Sequence, residues 1–137
     1  MPNPARETTF LPLTVAAART AVAAAGTGPA ACDARTVALR AEEADAAATE
    51  CWLALLAGCA TAGRRTLPSR LRALTEAATV YAGGRCMVRR VAEAEVRIND
   101  AVRDGDGAEF AEAFVGYDQA VATAVVSVQG RLGSATA

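Results

Sequence analysis

Residues 66–104, TLPSRLRALTEAATVYAGGRCMVRRVAEAEVRINDAVRD, decide the fold. Within them Leu67, Leu71, Leu74, Ala78, Tyr81, Val88, Val91, Ile98 and Val102 recur at three-, four- and seven-residue steps. That period is helical, and no strand-type alternation competes with it. Thr66 suits an N-cap, with Leu67 and Pro68 opening the first turn, and Gly105 with Gly107 closes the far end. Gly83 and Gly84 sit in the middle, where each costs about 1 kcal/mol relative to Ala. The stripe nevertheless keeps its phase across them, because Tyr81 and Val88 are one heptad apart. The pattern therefore favours one long helix kinked at Gly83-Gly84 over two helices broken there.

The flanking segments repeat the same logic. After the central stretch, Asp106 or Gly107 opens a helix with Phe110, Phe114, Tyr117, Val121, Val125, Val128 and Leu132 at near-heptad spacing. Before it, a helix starts at Pro29 or at the better cap Asp33 and runs to about Gly63, with Val37, Ala41, Ala44, Ala48, Trp52, Leu55 and Cys59 on one face. Its segment Cys51-Trp-Leu-Ala-Leu-Leu56 is apolar almost all round and is expected to be the best-buried turn of the molecule. A short first helix carries Leu11, Val15, Ala18 and Val22, takes Pro12 in its first turn, and ends at Gly26-Thr-Gly-Pro29. Four helices joined by short turns pack as antiparallel neighbours. The expected fold is thus an all-α, Ala-rich, up-down antiparallel four-helix bundle over residues 10–132, with 1–9 a loose arm and 133–137 a frayed tail.

Composition agrees with an all-helical domain. Ala fills 36 of 137 positions, and aromatic residues make up only 4%. The longest uncharged stretches, such as Thr20 to Cys32, are too short to span a bilayer. Arg19 interrupts the first apolar stretch where a signal peptide would be most hydrophobic, so the reading is cytoplasmic. All 14 basic residues are Arg and there is no His, which removes the commonest general base and zinc ligand. No phosphate-binding Gly-rich loop or nucleophile triad is present, so no catalytic residue, no metal site and no cofactor are assigned.

Folding the second and third helices back at residues 63–66 sets Glu42, Glu43 and Asp45 against Arg85, Arg89 and Arg90. It also sets Arg35 against Glu93 and Glu95, and Asp33 against Arg97. In a four-helix alternation, Arg6, Arg64, Arg65, Arg70, Arg72 and Arg131 gather at one end, and Asp33, Asp100, Asp104, Asp106, Glu109 and Glu112 at the other. Arg64, Arg65, Arg70 and Arg72, near free helix N–H groups, are the candidate anion site. A second apolar line on the last helix, Ala111, Val115, Ala122 and Val126, is the candidate interface. Trp52, Tyr81 and the two glycines mark a candidate interhelical ligand pocket. Glu42, Glu43, Asp45, Glu50, Glu93 and Glu95 are the only carboxylates dense enough for Mg²⁺, but they lack the Glu-x-x-Asp spacing of metal-dependent all-α hydrolases. Cys32, Cys51, Cys59 and Cys86 show no C-x-x-C spacing and are read as buried small residues.

These features favour a non-catalytic helical interaction or assembly module. Its expected partner is a second copy of itself or another helical protein, with no membrane and no nucleic acid as main partner. A binder of a small ligand or anion is the second reading, and a metal-dependent hydrolase the third.

Overall fold

A computed structural model describes residues 10–58, 62–83 and 88–136, of which 62–64, 88 and 129–136 are described as backbone only. The described residues form five helices, not four: α1 (Pro12–Ala25), α2 (Pro29–Ala57), α3 (Ala62–Tyr81), α4 (Val88–Asp104) and α5 (Gly107–Thr136). The expected arm at residues 1–9 lies outside the described residues. No helix among those described is long and apolar enough to cross a membrane.

The extra helix corrects the reading of the central stretch. Gly83 adopts a φ of +75°, which L side chains rarely populate, and its N–H turns back to the Val80 carbonyl at 3.0 Å. α3 stops there, and α4 starts anew at Val88. The apolar phase survived the break because both halves face one core: Leu67, Leu71, Leu74, Ala78 and Tyr81 of α3 and Val91 and Ile98 of α4 are all buried. Periodicity reports which face is buried, and not whether the backbone between two such faces is helical. The N-terminal boundary also moves, because α3 begins at Ala62 and holds Pro68 inside the helix.

α2 ends at Ala57 and α3 begins at Ala62, ahead of the expected turn at 63–66, and this shifts the register between them. Asp33, Thr36 and Arg40 of α2 share a cleft with Ala73, Glu76, Ala77 and Val80 of α3, while Glu43, later in α2, meets Arg70, earlier in α3, so the two helices run antiparallel. α4 folds back on α3, where Thr75 Oγ1 reaches Glu95 Oε2 at 3.4 Å. The expected pairing of Glu42, Glu43 and Asp45 with Arg89 and Arg90 is therefore not formed among the described residues, and Arg85 lies outside them. Instead Arg19 takes Glu42 at 3.1 Å, Arg40 and Arg70 take Glu43 at 3.0 and 3.7 Å, and Arg97 turns to Glu109 of α5 at 2.8 Å. These exposed pairs contribute little to stability. The acidic turn between α4 and α5 lies at the end where α2 stops, since the Trp52 ring sits 3.4 Å from where a side chain on Gly107 would start.

α5 is the hub: it packs against each of the other four helices, with α1 and α4 on either side and α2 and α3 behind. Asp106 caps it by accepting the Glu109 N–H at 3.0 Å, which decides between the two openings the sequence offered, Asp106 and Gly107. Phe110, Phe114, Tyr117, Val121, Val125 and Val128 are buried along its inner face. Near its start Phe110 and Phe114 join Phe10 and Trp52 in an aromatic cluster with centroids 5.1 to 6.0 Å apart. The α2 end is less covered than its composition suggests. Cys51 and Ala54 are buried, but Leu53 and Leu56 are 59% and 65% exposed, because the fold closes only one side of that turn.

α1 is held by its neighbours and not by its own cap. Its N-cap residue is Leu11, which offers no side-chain acceptor. Asp45 of α2 accepts the Phe10 and Leu11 N–H groups at 2.8 and 3.0 Å. Asp118 of α5 accepts those of Leu13 and Thr14 at 3.1 and 2.8 Å, and its own carbonyl takes the Thr14 hydroxyl at 3.1 Å. Pro12 has no N–H, and the Val15 N–H already bonds Leu11 at 2.9 Å, so every donor of this helix start is satisfied.

Candidate interaction groove on the outer face of α5

α1 and α4 rise on either side of α5 and leave a groove of about 1080 Å³ between them. Leu13, Ala16, Ala17 and Thr20 form the α1 wall, and Arg90, Glu93, Ala94 and Arg97 the α4 wall. The floor is α5, with Gly116, Gln119, Ala120, Ala122, Thr123, Val126 and Ser127. An α-helix with side chains is about 10 Å across and rises about 5.4 Å per turn, so the groove takes about two to three turns of one.

The candidate interface residues divide within this geometry. Val115 and Val126 are 58% and 56% exposed, Ala111 is half-buried, and Ala122 is buried in the floor. Ala122 and Val126 line the groove directly, and Val115 continues their line by the helical repeat. Adding Gln119 gives Val115, Gln119, Ala122 and Val126 at steps of four, three and four, the seam spacing of helices that pack side by side. The walls were not foreseen, because they are brought together only by tertiary packing. One signal was present: Leu13 is a large apolar residue off the buried stripe of its helix, and it is 50% exposed.

Charge is missing from the floor. From Ala113 to Ser127 the only ionisable side chains are Tyr117 and Asp118, and both are buried. The exposed arc of α5 there carries Val, Gly, Gln and Thr. Freely solvated helix faces of that length ordinarily carry charged residues, and this one carries none among its exposed positions from Val115 to Val126. On the α4 wall Arg97 is bound to Glu109 at 2.8 Å and lies 4.0 Å from Glu112, and the Glu109 hydrogen bond raises its pKa.

The other candidates do not converge. Arg70 is directed to Glu43 of α2, while the positive charge of Arg72 acts on Glu95 of α4, so the two diverge around α3. Arg65 is exposed, and the Arg64 side chain lies outside the described residues. Trp52 lies in the last turns of α2 and Tyr81 is the last residue of α3; in an antiparallel hairpin these are opposite ends. Among the described residues no three Asp, Glu, Cys or His side chains are placed to hold a metal ion. Asp45 is occupied with the start of α1. Cys51 is buried but Cys32 is exposed, and Cys59 and Cys86 lie outside the described residues.

A polar chain crosses the core where α3, α4 and α5 meet. The Tyr117 hydroxyl donates to the Leu71 carbonyl at 3.0 Å and lies 2.9 Å from Thr75 Oγ1, which is 3.4 Å from Glu95 Oε2. Burial raises the pKa of Glu95 above its ordinary value of 4.5; Arg72 and the Thr75 hydrogen bond act in the opposite direction, and Glu76 adds to the rise. Burial also raises the pKa of Tyr117, which keeps its proton at any physiological pH.

Comparison with protein-family models, with curated proteins and with solved structures finds no match for this chain.

Proposed function

We propose that the protein is a non-catalytic helical assembly module that self-associates through the groove over α5. The observation that carries this reading is the uncharged, small-residue floor with Val115 and Val126 more than half exposed on one line. A second copy suits it better than a highly charged partner. The uncharged floor meets its own copy without like-charge repulsion, and Arg90, Glu93 and Arg97 keep charge to the α4 wall. Gly116, Ala16, Ala17, Ala94 and Ala122 let a helix backbone approach closely, and covering the exposed valines adds apolar burial to an Ala-rich core that buries little area per residue.

Light scattering behind a sizing column, at about 50 mM and about 500 mM salt, tests this reading, because screening weakens exposed charge contacts and leaves apolar ones. The expected result is a mass above one chain at both salts. A mass of one chain throughout contradicts self-association, and an oligomer that dissociates in high salt contradicts the apolar groove as its interface.

A further inference from the structure

We propose that Glu95, Thr75 and Tyr117 form an acid-responsive clamp between α3, α4 and α5, completed when Glu95 carries a proton. Three contacts link the chain: Glu95 to Thr75, Thr75 to Tyr117, and Tyr117 to the Leu71 carbonyl. With Glu95 ionised, only the Thr75 and Tyr117 hydroxyls supply hydrogens, and each supplies one. One of the three oxygen–oxygen contacts is then left without a proton, in a partly or fully buried setting where that is costly. A proton on Glu95 provides the third hydrogen. Glu95 then donates to Thr75, Thr75 to Tyr117, and Tyr117 to Leu71, all in one direction.

The surroundings fit this reading. From α3, Arg72 favours the ionised carboxylate and Glu76 disfavours it, while Tyr117 faces it from α5. Burial is the largest influence and favours the neutral acid. A group whose folded pKa is raised contributes stability that is full below its unfolded value and lost as pH rises through the folded one. The clamp therefore tightens on acidification and seats α4, one wall of the groove, more firmly on α3.

Urea unfolding of the full chain between about pH 4 and 7 tests the clamp, with wild type compared with Glu95→Gln, Thr75→Val and the double variant. The amide that Glu95→Gln introduces can donate at every pH. The expected result is a higher urea midpoint than wild type at pH 7, with the difference closing toward pH 4. In the Thr75→Val background that gain falls by more than half, and in Thr75→Ser, which keeps the hydroxyl, it persists. A Glu95→Gln midpoint that follows wild type at every pH overturns the proposal. So does a gain of equal size with Thr75→Val, since burial of the carboxylate alone would then account for it.

Discussion

Asp118→Ala lowers the unfolding free energy by about 3 kcal/mol, because it leaves the Leu13 and Thr14 N–H groups without their charged acceptor. Asp118 is only 4% exposed, so water does not readily replace it. Asp118→Asn gives a smaller loss, since the amide oxygen can accept one N–H while its NH₂ faces the other. The loss is focused on α1, and its amides exchange with solvent faster than those of α3 and α5. Urea unfolding followed by hydrogen exchange checks both parts. An Asp118→Ala protein as stable as wild type, with unchanged α1 exchange, would mean that the helix start is held by packing alone. Asp45→Ala acts on the neighbouring donors, and the two losses are not expected to add, because either one frees the same helix end.

Phe114→Ala is expected to cost about 3 to 5 kcal/mol, the range for emptying a buried aromatic site. Phe114 is 1% exposed and contacts the rings of Phe10, Phe110 and Tyr117, with centroids 5.2, 5.1 and 6.1 Å away. Small domains have about 5 to 15 kcal/mol in total, so this one change removes a large share. The surrounding helices are rich in Ala, whose methyl groups cannot reach into the cavity. Urea denaturation monitored by far-UV circular dichroism reads the effect, and a loss below about 1 kcal/mol would show that the cluster collapses around the gap.

Several parts of this architecture were legible in the sequence. The stripe from Leu67 to Ile98 named the buried face of α3 and α4, Pro12 and Asp106 marked helix starts, and Phe110, Phe114 and Tyr117 named the inner face of α5. What misled was the heptad between Tyr81 and Val88. Two helices that bury the same face of one core keep phase across a break, and the positive φ of Gly83 is a backbone property that no apolar pattern encodes. The pairings drawn for Glu42 and Glu43 failed because the turn between α2 and α3 comes earlier than residues 63–66, which sets Glu43 beside Arg70, and because α4 then folds away from α2. Exposure of Leu53 and Leu56 was hidden for a related reason: composition says how apolar a turn is and not how many neighbours reach it.

The groove was half visible. Val115 and Val126 were found on one line of α5 because helical spacing places them there, and Ala122 was found with them although the bundle already buries it. The walls from α1 and α4 depend on the fifth helix. Asp45 stood among the carboxylates dense enough for Mg²⁺ and Asp118 carried no signal, and only packing shows both holding the start of another helix.

Sedimentation equilibrium of wild type beside Val126→Arg tests the assembly claim most directly. Val126 is 56% exposed, so a single chain accommodates Arg there without loss of stability, whereas a helix seated in the groove meets a long charged side chain where it would pack on the floor. Self-association through the groove predicts a wild-type mass above the 14.0 kDa of one chain, and a Val126→Arg mass equal to it with an unchanged unfolding midpoint. Equal masses for the two proteins, whether of one chain or several, would contradict it.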